Sequence, residues 1–271
     1  MLNAECSSDN IFLMKLNLFS FIFFIHVGLN AQTDSLPSQV VSWKNLKAEK
    51  GNISERKLVL EGSTLDLANL RIHTSKLDAR KTNHPPRSQD DYEELIIVKE
   101  GTLRIIINDS SKLLGPGGIA LIVAGDNQSF QNVSGKPVIY YVLRFKSKSP
   151  VNVQRGRDSG GSFMKDWNEL VMKKTDRGER REVFNRPSSM FSNFEVHATA
   201  LDPGFASHDP HTHRAEEIIL LMQGDITMQI GQSFYKAAAG DLIFLASGDL
   251  HAAKNTGSEQ CRYFAIQWKN P

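Results

Sequence analysis

The sequence predicts an all-β protein that contains two copies of one domain. Two observations lead to this prediction. Short segments rich in β-branched and aromatic residues alternate with turn-forming clusters, and the second half of the chain repeats the pattern of the first. The composition agrees with a soluble globular protein, since 40% of the 271 residues are hydrophobic and 23% are charged. A net charge of +2 lends no support to a nucleic-acid partner.

The chain begins with a predicted export signal, residues 1–31. Residues 16–29 are strongly apolar, Lys15 precedes them, and Ala31 is a small residue at the expected cleavage position. A helix that spans a bilayer needs roughly 20 apolar residues, so this stretch of about 14 predicts no stable membrane anchor. Its polar flanks argue against a buried core helix. We therefore expect a secreted or periplasmic protein that is cleaved near Ala31.

The residues ahead of the apolar stretch suggest a later start of translation. Glu5 and Asp9 stand where positive charge is expected, which favours Met14 as the true first residue. In either case Cys6 is removed with the signal, and Cys261 is the one cysteine left. We expect Cys261 to be a small core residue in a late strand, and the mature protein to have no disulfide of its own.

The internal repeat has a nearly constant offset. Residues 93–101 align with residues 216–224 at an offset of 123, so that their paired glutamates and their glycines coincide. The same offset continues towards the end of the chain, and an offset of 124 aligns earlier positions such as Trp43 and Trp167. Because one offset persists over about a hundred residues, we interpret the chain as a tandem duplication.

Within each copy, the pattern is that of short strands. In the first copy we expect strands at 95–98, 102–107, 119–123 and 138–145, separated by turn formers at 108–111 and 115–118. Many short strands at this spacing predict a sandwich or a barrel. The predicted domains are residues 32–149 and residues 163–271, joined by a flexible linker at 150–162 that is rich in glycine, serine and arginine.

A candidate metal site lies in the second copy. His211, His213 and Glu217 share one parity, so in an extended strand all three side chains point to the same face. A second strand and its turn then bring His251 across from them. Three imidazoles and one carboxylate are suitable ligands for a divalent first-row transition metal. The alternative is a set of surface histidines in a polar loop.

The first of two longer motifs resembles that of the cupin superfamily. The family pattern has His-x-His, three or four residues, Glu, six residues and Gly. This chain matches it with His211, His213, Glu217 and Gly224. The upstream glycine, Gly204, is one residue farther away than the pattern expects.

The second cupin motif is also present. Gly240, Gly248, His251 and Asn255 occupy its positions, while Ala246 replaces its proline. The resemblance covers roughly residues 40–271 and is closest to a two-domain bicupin. It implies tandem jelly-roll barrels, also called double-stranded β-helices, with a metal ion inside. Family habit favours Mn or Fe, and export favours Zn or Cu on affinity, so we expect Mn, Fe or Zn.

The first copy keeps the framework of the motif but not the ligands. Glu94 aligns with Glu217, but residues 87–91 replace the His-x-His and Gln128 replaces His251. Without imidazoles, we expect no tightly bound metal in the first copy. Its expected role is structural, as the other half of a built-in dimer, and the alternative is a ligand pocket without metal. A homodimer of whole chains is also possible.

The fold alone does not choose a reaction, so two classes of function remain open. The first is a metal-dependent enzyme, a hydrolase, isomerase or dioxygenase, that acts on a small polar molecule with His208 as acid or base. A metal in the C-terminal half alone is similar to the ureidoglycine aminohydrolase-like group, although that group has a glutamine where this chain has His251. The second is a non-catalytic binder of a small molecule or of metal.

Overall fold

The computed structural model of the protein describes residues 35–271, and antiparallel β-sheets make up most of this range. The predicted signal at 1–31, with Met14 as start and cleavage near Ala31, lies outside the described residues. Within 35–271, no helix combines the length and the apolarity needed to cross a bilayer.

The strands of the two halves follow one another in corresponding order. Those of residues 35–149 are β1 (Gln39–Val41), β2 (Glu49–Lys50), β3 (Ser54–Gly62), β4 (Leu67–Leu77), β5 (Glu93–Glu100), β6 (Leu103–Ile107), β7 (Ser110–Leu114), β8 (Ile119–Ile122), β9 (Gln128–Gln131) and β10 (Val138–Ser147). After helix α1 (Val153–Asp158) come β11 (Phe163–Lys165), β12 (Met172–Thr175), β13 (Gly178–Arg186), β14 (Asn193–Leu201), β15 (Glu216–Gln223), β16 (Asp225–Ile230), β17 (Ser233–Ala238), β18 (Leu242–Leu245), β19 (His251–Asn255) and β20 (Cys261–Lys269). Short 3₁₀ turns at Trp43–Asn45 and Trp167–Glu169 occupy matching places in the two halves.

Each half forms a barrel from one large sheet and one small sheet. In the N-terminal barrel the large sheet has the order β11-β8-β5-β10-β4-β3-β2 and the small one β7-β6-β9. In the C-terminal barrel the corresponding orders are β1-β18-β15-β20-β14-β13-β12 and β17-β16-β19. Apolar side chains that alternate along the strands fill each barrel. The predicted all-β fold with tandem jelly-roll barrels is therefore confirmed.

The two large sheets exchange their outermost strands. Strand β1 pairs with β18 of the C-terminal half, and β11 pairs with β8 of the N-terminal half. The C-terminal barrel is thus completed by a strand from the start of the described chain, and the N-terminal barrel by a strand that follows helix α1. The predicted domains 32–149 and 163–271 follow the repeat in the sequence, whereas the hydrogen-bonded sheets extend across those boundaries.

The connecting segment 150–162 differs from the flexible linker that the sequence predicts. It contains α1, whose N-terminus is capped by the side chain of Asn152, which accepts from the backbone of Arg155 at 2.8 Å. The Arg155 guanidinium donates to the carbonyls of Ser188 and Ser189 at 2.7 and 3.0 Å. The composition suggested flexibility, but these bonds anchor the segment to the second half.

A third apolar core lies between the barrels. The outer faces of both large sheets contribute to it, and the rings of Phe145, Phe191, Phe194 and Trp268 meet there with most pairs in edge-to-face orientation. Such contacts add to the hydrophobic gain from burial. The two halves therefore pack against each other as the sequence analysis expected of a built-in dimer.

Candidate metal centre

Three separate stretches of the C-terminal half converge at the mouth of its barrel. His211 and His213 lie in the loop after β14, Glu217 lies near the start of β15, and His251 is the first residue of β19. His211 and His251 exchange backbone hydrogen bonds of 3.2 and 3.0 Å. Glu217 has the same parity as Ile219 and Leu221, which fill the barrel, so its carboxylate also points inward.

The four predicted side chains come close together. The Nε2 atoms of His213 and His251 lie 3.3 and 3.4 Å from Oε2 of Glu217. The ring centroid of His251 is 4.7 Å from those of both His211 and His213. Within residues 35–271, two groups have ligand atoms all within 4.8 Å of one another: His213 with Glu217 and His251, and His208 with His211 and His251. His251 belongs to both groups.

Backbone carbonyls determine which nitrogen of two imidazoles faces the cavity. Nδ1 of His213 donates to the carbonyl of Ala215, and Nδ1 of His251 donates to that of Asp249, each at 2.8 Å. This leaves the Nε2 lone pairs directed at the centre, an arrangement typical of metal-binding histidines. These Nε2 atoms and Nδ1 of His211 are buried without a hydrogen-bond partner among the described residues. Such buried polar atoms require a partner, so the donor set fits a metal ion.

The carboxylate of the centre is held in its ionised form. Burial by itself raises the pKa of Glu217, but the nearby imidazoles of His213 and His251 outweigh it and hold the pKa well below its usual value, while Glu217 in turn raises the pKa of His213. Burial and the neighbouring imidazoles lower the pKa of His211. The centre therefore offers an ionised carboxylate together with at least one imidazole that resists protonation.

His208, the predicted acid or base, lies beside this centre. Its ring centroid is 4.0 Å from that of His211 and 6.0 Å from that of His251. Its Nδ1 donates to the carbonyl of Asp209 at 2.9 Å. The structure therefore brings His208 close enough to act as a further ligand or as an acid–base group.

The sequence analysis missed a polar group that lines the cavity in front of the centre. This cavity has a volume of about 480 Å³ and includes Arg180, Glu195 and His197. Oε1 of Glu195 lies 3.0 Å from Arg180 and 3.2 Å from His197. Alternation along β13 and β14 was the available signal, because these residues lie on the barrel-facing parity of paired strands.

The last strand, β20, also contributes to the lining of the cavity. Trp268 packs in the core between the barrels, so its neighbour Gln267 faces inward and lines the cavity. Gln267 lies directly opposite Glu217 in the strand register and helps to lower the pKa of its carboxyl group.

In the N-terminal barrel, the glutamate that corresponds to Glu217 is paired with an arginine of the same barrel. Arg87 and Gln128 pair through their backbones as His211 and His251 do. Glu94 is buried and accepts hydrogen bonds from the Arg144 guanidinium, at 2.6 Å, and from the side chain of Gln128. The sequence analysis did not single out Arg144, although the repeat aligns it with Gln267.

Comparisons with known proteins agree with this architecture. Residues 198–267 match the family model for the cupin domain. Among solved structures, the putative glyoxylate induced protein from Pseudomonas aeruginosa is 15% identical, with a TM-score of 0.71 over 89% of this chain and 93% of that one. Protein Ylba from E. coli is 13% identical, with a TM-score of 0.70 over 90% and 96%. Bacillus subtilis oxalate decarboxylase, described with Mn(II) centers, is 13% identical, with a TM-score of 0.65 over 88% and 79%. A search of curated proteins finds no match.

The fold and the comparisons define the class of protein. The chain has the two-barrel cupin fold, and its C-terminal barrel carries a histidine and glutamate cluster that is able to bind a metal. The predicted resemblance to the cupin superfamily is confirmed. The closer likeness to ureidoglycine aminohydrolase-like proteins and the restriction of metal to the C-terminal barrel stay predictions.

Proposed function

We propose that the C-terminal barrel holds one divalent metal ion through His211, His213, Glu217 and His251. The observation that carries this proposal is the set of buried imidazole nitrogens without a hydrogen-bond partner that meets the ionised Glu217. The corresponding glutamate of the other barrel, Glu94, has a guanidinium as its cation. A metal ion would meet the same electrostatic need in the C-terminal barrel.

Mn, Fe or Zn would suit this donor set. Neutral imidazoles and one carboxylate accept any of these three ions, and four protein ligands leave open positions on a six-coordinate ion. The oxalate decarboxylase that shares the fold is described with Mn(II) centers, which supports including Mn.

The proposed activity is metal-dependent catalysis on a small polar molecule, a carboxylate, a ureide or a sugar-like compound. When bound, the metal would polarise a carbonyl or activate a water molecule. His208 would hold or release a proton at Nε2, since its Nδ1 donates to the backbone of Asp209. Arg180 and His197 would contact the substrate from the opposite wall of the cavity. A hydrolase, an isomerase and a dioxygenase are all compatible with these groups.

The proposal includes export. The signal predicted at 1–31 would place the mature protein outside the cytoplasm, where it would acquire its metal. The support for this part is the apolar stretch 16–29 and the small residue Ala31.

A non-catalytic binding protein is the second candidate function. Glu195 already pairs with Arg180 and with His197. This pairing reduces the number of free acid–base groups at the mouth, which favours binding over turnover.

The test uses the purified mature protein with its metal measured by mass spectrometry. Oxygen uptake, ammonia release and acid release are followed over a panel of small carboxylates, ureides and sugars. Turnover that disappears in His211→Ala supports the enzyme, whereas saturable ligand binding with no turnover supports the binder. A well-expressed, folded protein that takes up no Mn, Fe or Zn would overturn the proposed metal site.

The role of His208 is tested separately with His208→Ala. Loss of turnover with unchanged metal content and unchanged substrate affinity is expected of an acid–base group. Loss of metal would instead identify His208 as a ligand and contradict the acid–base role.

A further inference from the structure

The mouth of the N-terminal barrel contains a second cavity, about 280 Å³ in volume. Glu49, Arg56, Arg71, His73 and Arg144 line it together with one leucine. Arg56 lies exposed at the rim, Arg71 and Arg144 are half-buried, and His73 is buried. The volume lies just below the usual range for ligand pockets and fits a molecule of few atoms.

The arginines bring like charges together across neighbouring strands. Arg71 of β4 lies directly opposite Arg144 of β10. Such a pair is destabilising unless an anion lies between or beside the charges. Burial and then the three arginines lower the pKa of His73 to about 3, in accordance with a positive potential at the base of the cavity.

The carboxylates near these arginines leave many of their donors free. Glu94 binds Nε of Arg144, and Glu61 binds Nη1 of Arg71 at 2.5 Å. The other N–H groups of these two guanidiniums have no hydrogen-bond acceptor among residues 35–271. Glu49 lies opposite Arg56 in the strand register, but the Arg56 side chain forms no hydrogen bond or ion pair with any described residue. Nδ1 of His73 is likewise buried without a partner in the described chain.

The other barrel shows what these donors lack. The repeat aligns Arg56 with Arg180 and His73 with His197, and in that barrel Oε1 of Glu195 lies 3.0 Å from the Arg180 guanidinium and 3.2 Å from Nδ1 of His197. The position of Glu195 is occupied by Arg71 in the N-terminal barrel. The N-terminal barrel does have a carboxylate opposite Arg71, Glu61, where the other barrel has Asn185 opposite Glu195. Glu61 pairs with Arg71, however, and among residues 35–271 no carboxylate forms an ion pair with Arg56 or His73 as Glu195 does with their counterparts.

We propose that the mouth of the N-terminal barrel binds a small oxyanion, a carboxylate or a phosphate group, through Arg56, Arg71, Arg144 and His73. The ligand's oxygens take the place that the Glu195 carboxylate occupies in the C-terminal barrel. The planar guanidiniums present paired N–H donors, which suit the two oxygens of such a group. This site does not depend on metal, so it is independent of the function proposed for the other barrel.

The test titrates the full-length mature protein with succinate and with inorganic phosphate by calorimetry at constant ionic strength. Arg56→Gln is the main variant, because the Arg56 side chain has no protein partner in the described chain whose loss would disturb folding. Its control is Arg157→Gln, an exposed arginine of α1 that lines neither cavity. We expect the affinity for at least one anion to fall about tenfold or more in Arg56→Gln and to stay unchanged in Arg157→Gln.

A second variant, Arg71→Glu, is made in a Glu61→Asn background and recreates the arrangement of the other barrel, where Asn185 lies opposite Glu195. The new carboxylate would lie beside Arg56 and His73, so we expect a folded protein in which anion binding is abolished. Titrations before and after dialysis against a chelator distinguish this site from anions bound to metal. The proposal is overturned if neither anion binds the wild type, if binding needs metal, or if Arg71→Glu binds as tightly as the wild type.

Discussion

Single side-chain differences decide how each barrel compensates its buried glutamate. Glu94 and Glu217 occupy the same position in the two halves, and both are buried. Arg144 and Gln128 satisfy Glu94, whereas their counterparts Gln267 and His251 do not supply a fixed cation. A buried carboxylate without a compensating charge is costly, and the metal ion proposed for the C-terminal barrel would supply that charge.

Metal content should therefore depend on His251 and not on its counterpart. We expect His251→Ala to lose most of its bound metal, since His251 contributes to both candidate ligand groups. Gln128→Ala is the matched control, and we expect it to keep the metal content of the wild type. Mass spectrometry of the purified proteins measures both. Equal metal content in His251→Ala and the wild type would contradict the assignment.

The Arg144–Glu94 pair should be important for stability. Arg144→Gln installs the residue of the other barrel and leaves the buried Glu94 without its cation. We expect the free energy of unfolding to fall by about 2–3 kcal/mol, measured by urea denaturation. Adding Glu94→Gln should recover part of this loss, because no buried charge is then left. A double variant less stable than Arg144→Gln would contradict this explanation.

At the scale of elements, the exchanged strands and the short 3₁₀ turns connect the two halves. Trp43 packs over Gly240 of the C-terminal half, and Trp167 packs over Gly117 of the N-terminal half. The backbone of Trp43 donates to the Asp241 side chain at 2.7 Å. Each tryptophan therefore attaches the start of one half to a turn of the other.

Two glycine variants separate the effect of close packing between Gly117 and Trp167 from the effect of the backbone conformation of Gly117. A Cβ on Gly117 would lie 2.7 Å from the Trp167 ring, while one on Gly204 would meet no atom within 4 Å, and the φ angles are similar at +79° and +84°. Both alanine variants have the strain of positive φ, about 1 kcal/mol. We expect Gly117→Ala to lose about 1–3 kcal/mol more than Gly204→Ala in thermal or urea unfolding, owing to overpacking. Equal losses would mean that Trp167 moves away without cost.

At the scale of the whole molecule, two buried glutamates hold the barrels together in a pseudo-symmetric way. Glu216 accepts hydrogen bonds from Thr64, Leu65, Asp66 and Trp268. Its counterpart Glu93 accepts from the backbone of Ser189 at 2.5 Å, but its second oxygen is buried without a partner in the described chain. Glu93 is therefore the less well compensated of the two.

This asymmetry predicts a pH-dependent stability. Burial raises the pKa of Glu93 to about 7, against an ordinary value of 4.5. Between these values the folded protein binds the proton more tightly than the unfolded chain, so stability falls as pH rises from about 4.5 to about 7. The contribution is at most about 3 kcal/mol. Glu93→Gln removes this titration. We expect urea unfolding to show Glu93→Gln gaining stability relative to the wild type as pH rises from 5 to 7.5, and parallel pH profiles would refute the assignment.

Much of the fold was predictable because it depends on local patterns. The repeat offset, the turn formers and the alternation of apolar residues indicate two β-barrels without any knowledge of distant contacts. The same alternation predicts that His211, His213 and Glu217 share a face. The cupin motif adds His251, whose place near the other three depends on a turn between two strands.

Contacts between distant parts of the chain were not predictable in this way. Arg144 meets Glu94 from another strand, β1 and β11 join the sheet of the opposite half, and helix α1 is anchored by carbonyls about 30 residues away. Parity in a strand states which side chains share a face, but not which group across the barrel compensates a buried charge. That choice depends on packing and electrostatics in three dimensions, where residues far apart in the chain become neighbours.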